Sequence, residues 1–226
     1  MSDRFGKREI DAVSEVIRSG NLSGFFKSFT GGDRVKMFEQ EFAAYLNMDF
    51  AVSFSSGTAA LHAALLACGV KKRSLVCTTP YTFISTVSTV LMCNAKPFLV
   101  DVDEDTYNLD PDKLKDAIES HKLKPKAIMP VHLLGHPADM VKIKMVADAN
   151  ECLVIEDACQ ALESHYLNYP CGTIGDIGCF SFQETKGLTT GGEGGMAVTD
   201  DEKLAQKLME VRNHGEKYAD PESNLI

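Results

Sequence analysis

The stretch Phe50-Ala51-Val52-Ser53-Phe54-Ser55-Ser56-Gly57-Thr58-Ala59-Ala60-Leu61-His62 carries the pattern that sets the fold. Its first five residues, largely aromatic or apolar, predict a strand over 50–54. Two serines and a glycine interrupt it. The alanine- and leucine-rich run that follows predicts a helix over 58–68. The same alternation continues along the chain. Strands are predicted over 74–78, 96–102, 127–131, 152–156, 177–182 and 195–199, and helices over 82–93, 111–121, 138–150 and 201–213. Apolar strands alternating with helical patterns imply a three-layer α/β/α fold with a mostly parallel central sheet. In such sheets ligands bind beyond the carboxyl ends of the strands.

Residues 1–48 read differently. A helix is predicted over 9–19, a loop rich in Gly, Ser and Phe over 20–32, and an amphipathic helix over 35–46. Together they form an N-terminal helical arm that packs on the body or on a neighbouring subunit, leaving 49–226 as the α/β domain.

Of the 226 residues, 44% are hydrophobic and 24% charged, an ordinary globular balance. The net charge of -9 argues against nucleic acid or an anionic membrane as partner, because both favour a basic face. It leaves room for an anionic small ligand held by local amides. The seven cysteines form no Cys-x-x-Cys pair, and several sit in apolar runs. They predict buried, reduced thiols in a cytoplasmic protein. No signal-peptide pattern opens the sequence, and no apolar run approaches the ~20 residues of a membrane span.

Four groups of residues fall where this sheet predicts a ligand. Ser55-Ser56-Gly57-Thr58-Ala59 opens a helix, whose free amides and dipole attract a phosphate. The plainer reading there is N-capping by Ser56 or Thr58. Leu153-Val154-Ile155-Glu156-Asp157 ends a strand in two carboxylates, suited to a cationic ring nitrogen, a metal or simply a helix cap. No metal is expected, since His132, His136 and His165 lack ligand spacing. Phe180-Ser181-Phe182-Gln183-Glu184-Thr185-Lys186 puts a lysine in a polar loop, ahead of Thr189-Thr190-Gly191-Gly192-Glu193-Gly194-Gly195. A lone lysine is ordinarily solvated, and because this one precedes the glycines the loop is not a P-loop. Thr79-Pro80-Tyr81-Thr82-Phe83 offers an aromatic that either stacks on a ring or packs in the core. Together the four groups supply what pyridoxal 5'-phosphate requires: an amine, an acid at the ring nitrogen, a phosphate cup and a stacking surface.

Six motifs then carry a resemblance. They are Phe38-Glu39-Gln40-Glu41-Phe42-Ala43-Ala44-Tyr45, Ser55-Ser56-Gly57-Thr58-Ala59-Ala60-Leu61-His62, Pro130-Val131-His132-Leu133-Leu134-Gly135, Glu156-Asp157-Ala158-Cys159-Gln160-Ala161, Gly175-Asp176-Ile177-Gly178-Cys179-Phe180-Ser181-Phe182 and Arg212-Asn213-His214-Gly215. In this order they resemble the DegT/DnrJ-type sugar aminotransferases, fold-type I pyridoxal phosphate enzymes. The resemblance implies an aspartate-aminotransferase-like large domain. Members of the family run well past residue 226, so a C-terminal small domain is expected to be missing from this sequence.

The resemblance also implies roles. Lys186 is the Schiff-base lysine and Asp157 the carboxylate on the pyridine nitrogen. Gln160 meets the ring hydroxyl or the cofactor edge. Gly57, Thr58 and Ala59, with Ser181, form the phosphate cup, and Phe83 stacks on the ring. Ser23 and His132 are candidate substrate contacts, and His132 reads equally well as a satisfied strand-end histidine. Three departures accompany these roles: a Gly-rich loop over 191–195 one glycine longer than the family pattern, a longer segment over 24–32 where substrate contacts are expected, and the short C-terminus.

The activity implied is ping-pong transfer of an amino group from glutamate to a nucleotide-linked keto-sugar, in polysaccharide biosynthesis. The enzyme is expected to be a cytoplasmic homodimer with its active site at the interface. Two alternatives stay open: a sugar dehydratase of the same family, in which histidine replaces the lysine, and a truncated or regulatory protein that binds the cofactor without turnover.

Overall fold

The computed structural model describes residues 4–23 and 31–216. Nine strands occur among them: β1 (Phe50–Phe54), β2 (Leu75–Thr78), β3 (Lys96–Leu99), β4 (Ala127–Met129), β5 (Leu153–Asp157), β6 (His165–Tyr166), β7 (Tyr169–Pro170), β8 (Ile177–Ser181) and β9 (Gly195–Thr199). The helices are α1 (Lys7–Ser19), α2 (Asp33–Leu46), α3 (Gly57–Ala67), α4 (Ser85–Met92), α5 (Pro111–Ser120), α6 (Met140–Ala149) and α7 (Glu202–Arg212). Residues 24–30, most of the longer segment noted above, lie outside the described residues, as do 217–226.

Seven strands form one sheet in the order β1-β9-β8-β5-β4-β2-β3, and β6 pairs with β7 as a separate hairpin. Every pairing between β3 and β8 is parallel. β9 runs antiparallel to both its neighbours, β1 and β8. β1, β5 and β8 therefore end at the same edge, where β9 begins.

Alternation along the strands sends side chains to two covered faces. On one face Val76, Ile155, Cys179 and Ala197 pack with α3, α4 and α7. On the other, Cys77, Ile128 and Val154 pack with α5 and α6. Phe42 and Leu46 of α2 complete that second face against Phe180, Phe182, Met196 and Val198. Phe42 meets both Phe180 and Phe182 edge-on, with ring centroids 5.2 and 5.3 Å apart. α1, by contrast, buries none of its residues.

Most predicted elements are present within a few residues. The helix expected over 82–93 starts later, at Ser85, because Thr79 to Ile84 form a loop across the sheet edge. The strand expected over 96–102 stops at Leu99, and Val102 then bridges to Leu109 in a local turn. All seven cysteines are free thiols, six of them buried. Burial pushes the Cys68 and Cys77 thiols up to about 12. Among the described residues no helix is long and apolar enough to cross a membrane.

Candidate active site

A cavity of about 560 Å³ opens at the edge where β5 and β8 end, against the starts of α3 and α4. Gly57, Thr58, Phe83, Asp157, Gln160, Ser181 and Lys186 all line it. Strand periodicity selects which side chains reach it. In β8, Ser181 lies between Phe180 and Phe182, which are committed to α2, so Ser181 points the other way. In β5 the same rule separates two consecutive carboxylates. Asp157 lines the cavity, whereas Glu156 is fully buried on the opposite face.

Asp157 is 5% exposed. Its Oδ2 accepts from Thr86 Oγ1 at 2.7 Å and its Oδ1 from the Cys159 amide at 3.2 Å. Thr86 has one hydroxyl proton and gives it to Asp157, so its oxygen accepts from Thr82 Oγ1 at 2.7 Å. A relay from Thr82 through Thr86 thus fixes the carboxylate. Cys159 stands beside it. Burial, and then the Asp157 charge, hold the Cys159 thiol well above the usual range. It stays protonated and is a poor nucleophile.

Two helix starts meet at the opposite wall. Ser56 caps α3: its Oγ accepts from the Ala59 amide at 3.1 Å and its carbonyl from the Ala60 amide at 3.0 Å. The Gly57 and Thr58 amides have no acceptor within the helix. Ser85, the first residue of α4, bonds Thr58 through their hydroxyls at 2.8 Å. Both dipoles therefore present their positive ends to one anion position. Close packing holds this wall in place. A Cβ on Gly57 would stand 2.8 Å from Cys159 Sγ and 2.9 Å from Ser181 Cβ. A Cβ on Gly195 would collide with the Ser56 carbonyl group and come within 2.7 Å of the Gly57 nitrogen. Glycine at both positions lets α3 press its start onto the β8–β9 edge.

Lys186 is half-buried in the loop after β8, and its amide donates to the Gln183 carbonyl at 2.8 Å. It also lines an adjoining cavity of about 490 Å³, bounded by Phe38, Glu41 and Tyr45 of α2. Cys159, Gln160, Ser181 and Lys186 form the wall common to both. Gln160 Oε1 accepts from the Leu134 amide at 2.8 Å, which leaves the two donors of its amide nitrogen free for a ligand. Phe83, 67% exposed, stands at the cavity mouth.

Three residues expected at the site are placed elsewhere. The Ala59 amide is taken by Ser56, and Ala59 faces a neighbouring hollow with His62, Met92 and Arg212. His132 is fully buried with both ring nitrogens engaged. Nδ1 accepts from the Ala138 amide at 3.1 Å, so the proton is on Nε2, which donates to Glu156 at 2.8 Å. Its side chain has no contact to offer a substrate. Ser23 is exposed and lies outside the lining of the cavity. Thr86 and Ser85 were not singled out by the sequence reading. The hydroxyl residues at 82, 85, 86, 88 and 89, clustered at the start of a helix that ends apolar, were the available signal.

Residues 3–224 match the family model described as the DegT/DnrJ/EryC1/StrS aminotransferase family. The chain is 43% identical over 210 residues to the spore coat polysaccharide biosynthesis protein SpsC of Bacillus subtilis (strain 168), covering 93% of this chain and 51% of SpsC. It is 39% identical over 208 residues to GDP-perosamine synthase of Escherichia coli O157:H7, covering 92% and 54% of the two chains. Among solved structures, NtdA from Bacillus subtilis with bound cofactor PMP superposes with a TM-score of 0.83 at 32% identity, over 96% of this chain and 47% of that one. The chain spans about half the length of the curated relatives it matches.

Proposed function

The chain belongs to the DegT/DnrJ/EryC1/StrS aminotransferase family, and from that premise we propose that it is the cofactor-binding part of a pyridoxal phosphate-dependent aminotransferase, transferring an amino group from glutamate to a nucleotide-linked keto-sugar. One observation carries the reading. A buried carboxylate, a lysine and two helix starts converge on one cavity. The residues present fit the cofactor. Asp157 suits its ring nitrogen, and the Gly57 and Thr58 amides with the Ser181 hydroxyl suit its phosphate. The Gln160 amide suits its ring oxygen, Phe83 its ring face and Lys186 its carbonyl carbon.

When bound, the cofactor supplies an electron sink for negative charge developing on the carbon next to the transferred nitrogen. The rest is done by side chains. Asp157, oriented by Thr86 and Thr82, keeps a proton on the ring nitrogen. The Lys186 amine would hold the carbonyl carbon, and as a free amine it would be the base placed to move a donor's α-proton. Ser181 and the helix starts anchor the phosphate, so the amine and the reacting carbon keep their separation.

The printed name of the Escherichia coli relative supports a nucleotide-linked sugar, and SpsC supports polysaccharide biosynthesis. The adjoining cavity beyond Lys186 gives space for a substrate larger than an amino acid. We assign glutamate as donor and the division into a 1–48 arm and a 49–226 domain on the same footing. A homodimer with the site at its interface is supported by exposed Phe83 and Ile84 at the cavity mouth, with exposed Leu91 and Met92 at the far end of α4. Free thiols support a cytoplasmic location. The presence of Lys186 favours transfer over dehydration.

Purified protein mixed with pyridoxal phosphate is expected to turn yellow, and borohydride to fix the label on the peptide holding Lys186. A colourless protein, or label fixed on another lysine, sinks the assignment. Asp157→Asn is expected to weaken pyridoxal phosphate binding by about 10–100-fold, the loss of one charge-assisted hydrogen bond. An unchanged affinity by fluorescence titration counts against the role given to Asp157.

A further inference from the structure

Arg4 reaches across 180 residues of sequence to the loop that carries Lys186. Its Nη1 donates to the Glu184 carbonyl, and its Nη2 donates to the Lys186 carbonyl and, at 3.2 Å, to the Gly187 carbonyl. A single guanidinium therefore spans the backbone on both sides of the lysine. The loop's own bonds hold its base and one turn, in which the Lys186 amide donates to the Gln183 carbonyl at 2.8 Å, and none of them reaches the carbonyls at 184, 186 and 187. Gln183 Oε1 accepts from the Thr185 amide at 2.8 Å, and the Glu184 amide donates to Gly192 at 2.9 Å. Past Lys186, a Cβ on Gly187 or Gly191 would meet nothing within 4 Å, so little packing restrains the backbone at the tip. The planar fork of an arginine can bridge several carbonyls, which the point charge of a lysine cannot.

We propose that Arg4 is a positioning residue for Lys186: by bridging the carbonyls at 184, 186 and 187 it holds the lysine backbone so that the amine meets its carbonyl target in a fixed geometry. The proposal rests on the reading of Lys186 as the cofactor-binding amine. Misplacing a reacting group by about 1 Å costs on the order of 10²-fold in rate, so loosening this tip has a kinetic consequence. It also gives the opening of the chain a task that its packing does not, since α1 buries nothing and meets α2 through an exposed Arg34–Glu15 pair.

The test compares wild type, Arg4→Gln and Arg4→Lys in the same chain. Two quantities are read: amide hydrogen exchange over 185–188 without cofactor, and the rate at which pyridoxal phosphate forms a borohydride-fixable adduct at Lys186. Arg4→Gln is expected to speed exchange at the tip and to slow adduct formation by about tenfold or more, with unchanged global stability. Arg4→Lys is expected to recover only part of the rate. Faster exchange with an unchanged adduct rate overturns positioning and leaves Arg4 a merely structural tie. Unchanged exchange and unchanged rate overturn the clamp itself. A wild-type chain that forms no adduct at Lys186 removes the proposed function and this inference with it, a failure distinct from the other two.

Discussion

Lys186→Ala, in protein loaded with pyridoxal phosphate, is expected to slow single-turnover amino transfer from glutamate by on the order of 10²–10⁴-fold. The size follows from what else lines the cavity. Asp157 already has both oxygens in hydrogen bonds. Cys159 is held protonated by burial. Glu193 is a carboxylate, a far weaker base than an amine. Among the described residues, no lysine besides Lys186 lines either cavity. The cup and the ring-nitrogen acid do not depend on Lys186, so noncovalent binding of pyridoxal phosphate is expected to survive. Stopped-flow absorbance gives the rate, and fluorescence titration the binding. A variant that transfers within about twofold of wild type ends the assignment of Lys186 as the base.

Much of this site was legible in the sequence, for a physical reason. Parallel strands are buried on both faces and so appear as continuous apolar runs, and the polar residues that end them stand out. Asp157 after Leu153-Val154-Ile155 and Ser181 between two phenylalanines are of this kind. Gly57 was legible because a glycine between a strand and a helix signals close backbone approach. The roles given to these residues came from the family resemblance, since the residues alone favoured a cap or loop carboxylate at 156 and 157, left a ring nitrogen open and made a metal less attractive.

What was not legible depended on contacts distant in sequence or on a change of direction. Nothing near Arg4 announces a partner 180 residues away. The β6–β7 hairpin is two residues on each side, too short for periodicity to register. β9 has the same apolar composition as its parallel neighbours, so its reversed direction leaves no mark in the sequence. His132 was offered as a substrate contact because it follows a strand. The Ala138 amide, six residues on, and Glu156, on the next strand of the sheet, occupy its two nitrogens, and no spacing in the sequence announces either bond.

Glu156 is where the largest loss of stability is expected. Its Oε2 accepts from His132 Nε2 and the Gly172 amide, each at 2.8 Å. Its Oε1 accepts from the Ile174 amide at 2.6 Å and from the Gly175 amide. Four donors meet two oxygens in a side chain with no exposed surface, which is how an ionised carboxylate is tolerated in the interior. Glu156→Gln replaces one acceptor oxygen by an amide group with two protons of its own. Whichever way that group turns, it faces two donors, and it cannot shed its protons. The expected cost is about 3–5 kcal/mol, because two buried donors are left without an acceptor at about 1–3 kcal/mol each. For a chain of this size that corresponds to a melting midpoint lower by roughly 6–20 °C. Calorimetry and urea unfolding check it, and a midpoint within a degree of wild type would show that the four donors do not depend on the charge. The neighbouring carboxylate supplies the contrast. Asp157→Asn acts first on pyridoxal phosphate affinity, whereas Glu156→Gln acts first on the joint of β5 with the 172–175 loop that leads into β8. Two adjacent acids on one strand are thereby divided between the cavity and the buried interior by nothing more than the two-residue period of β geometry.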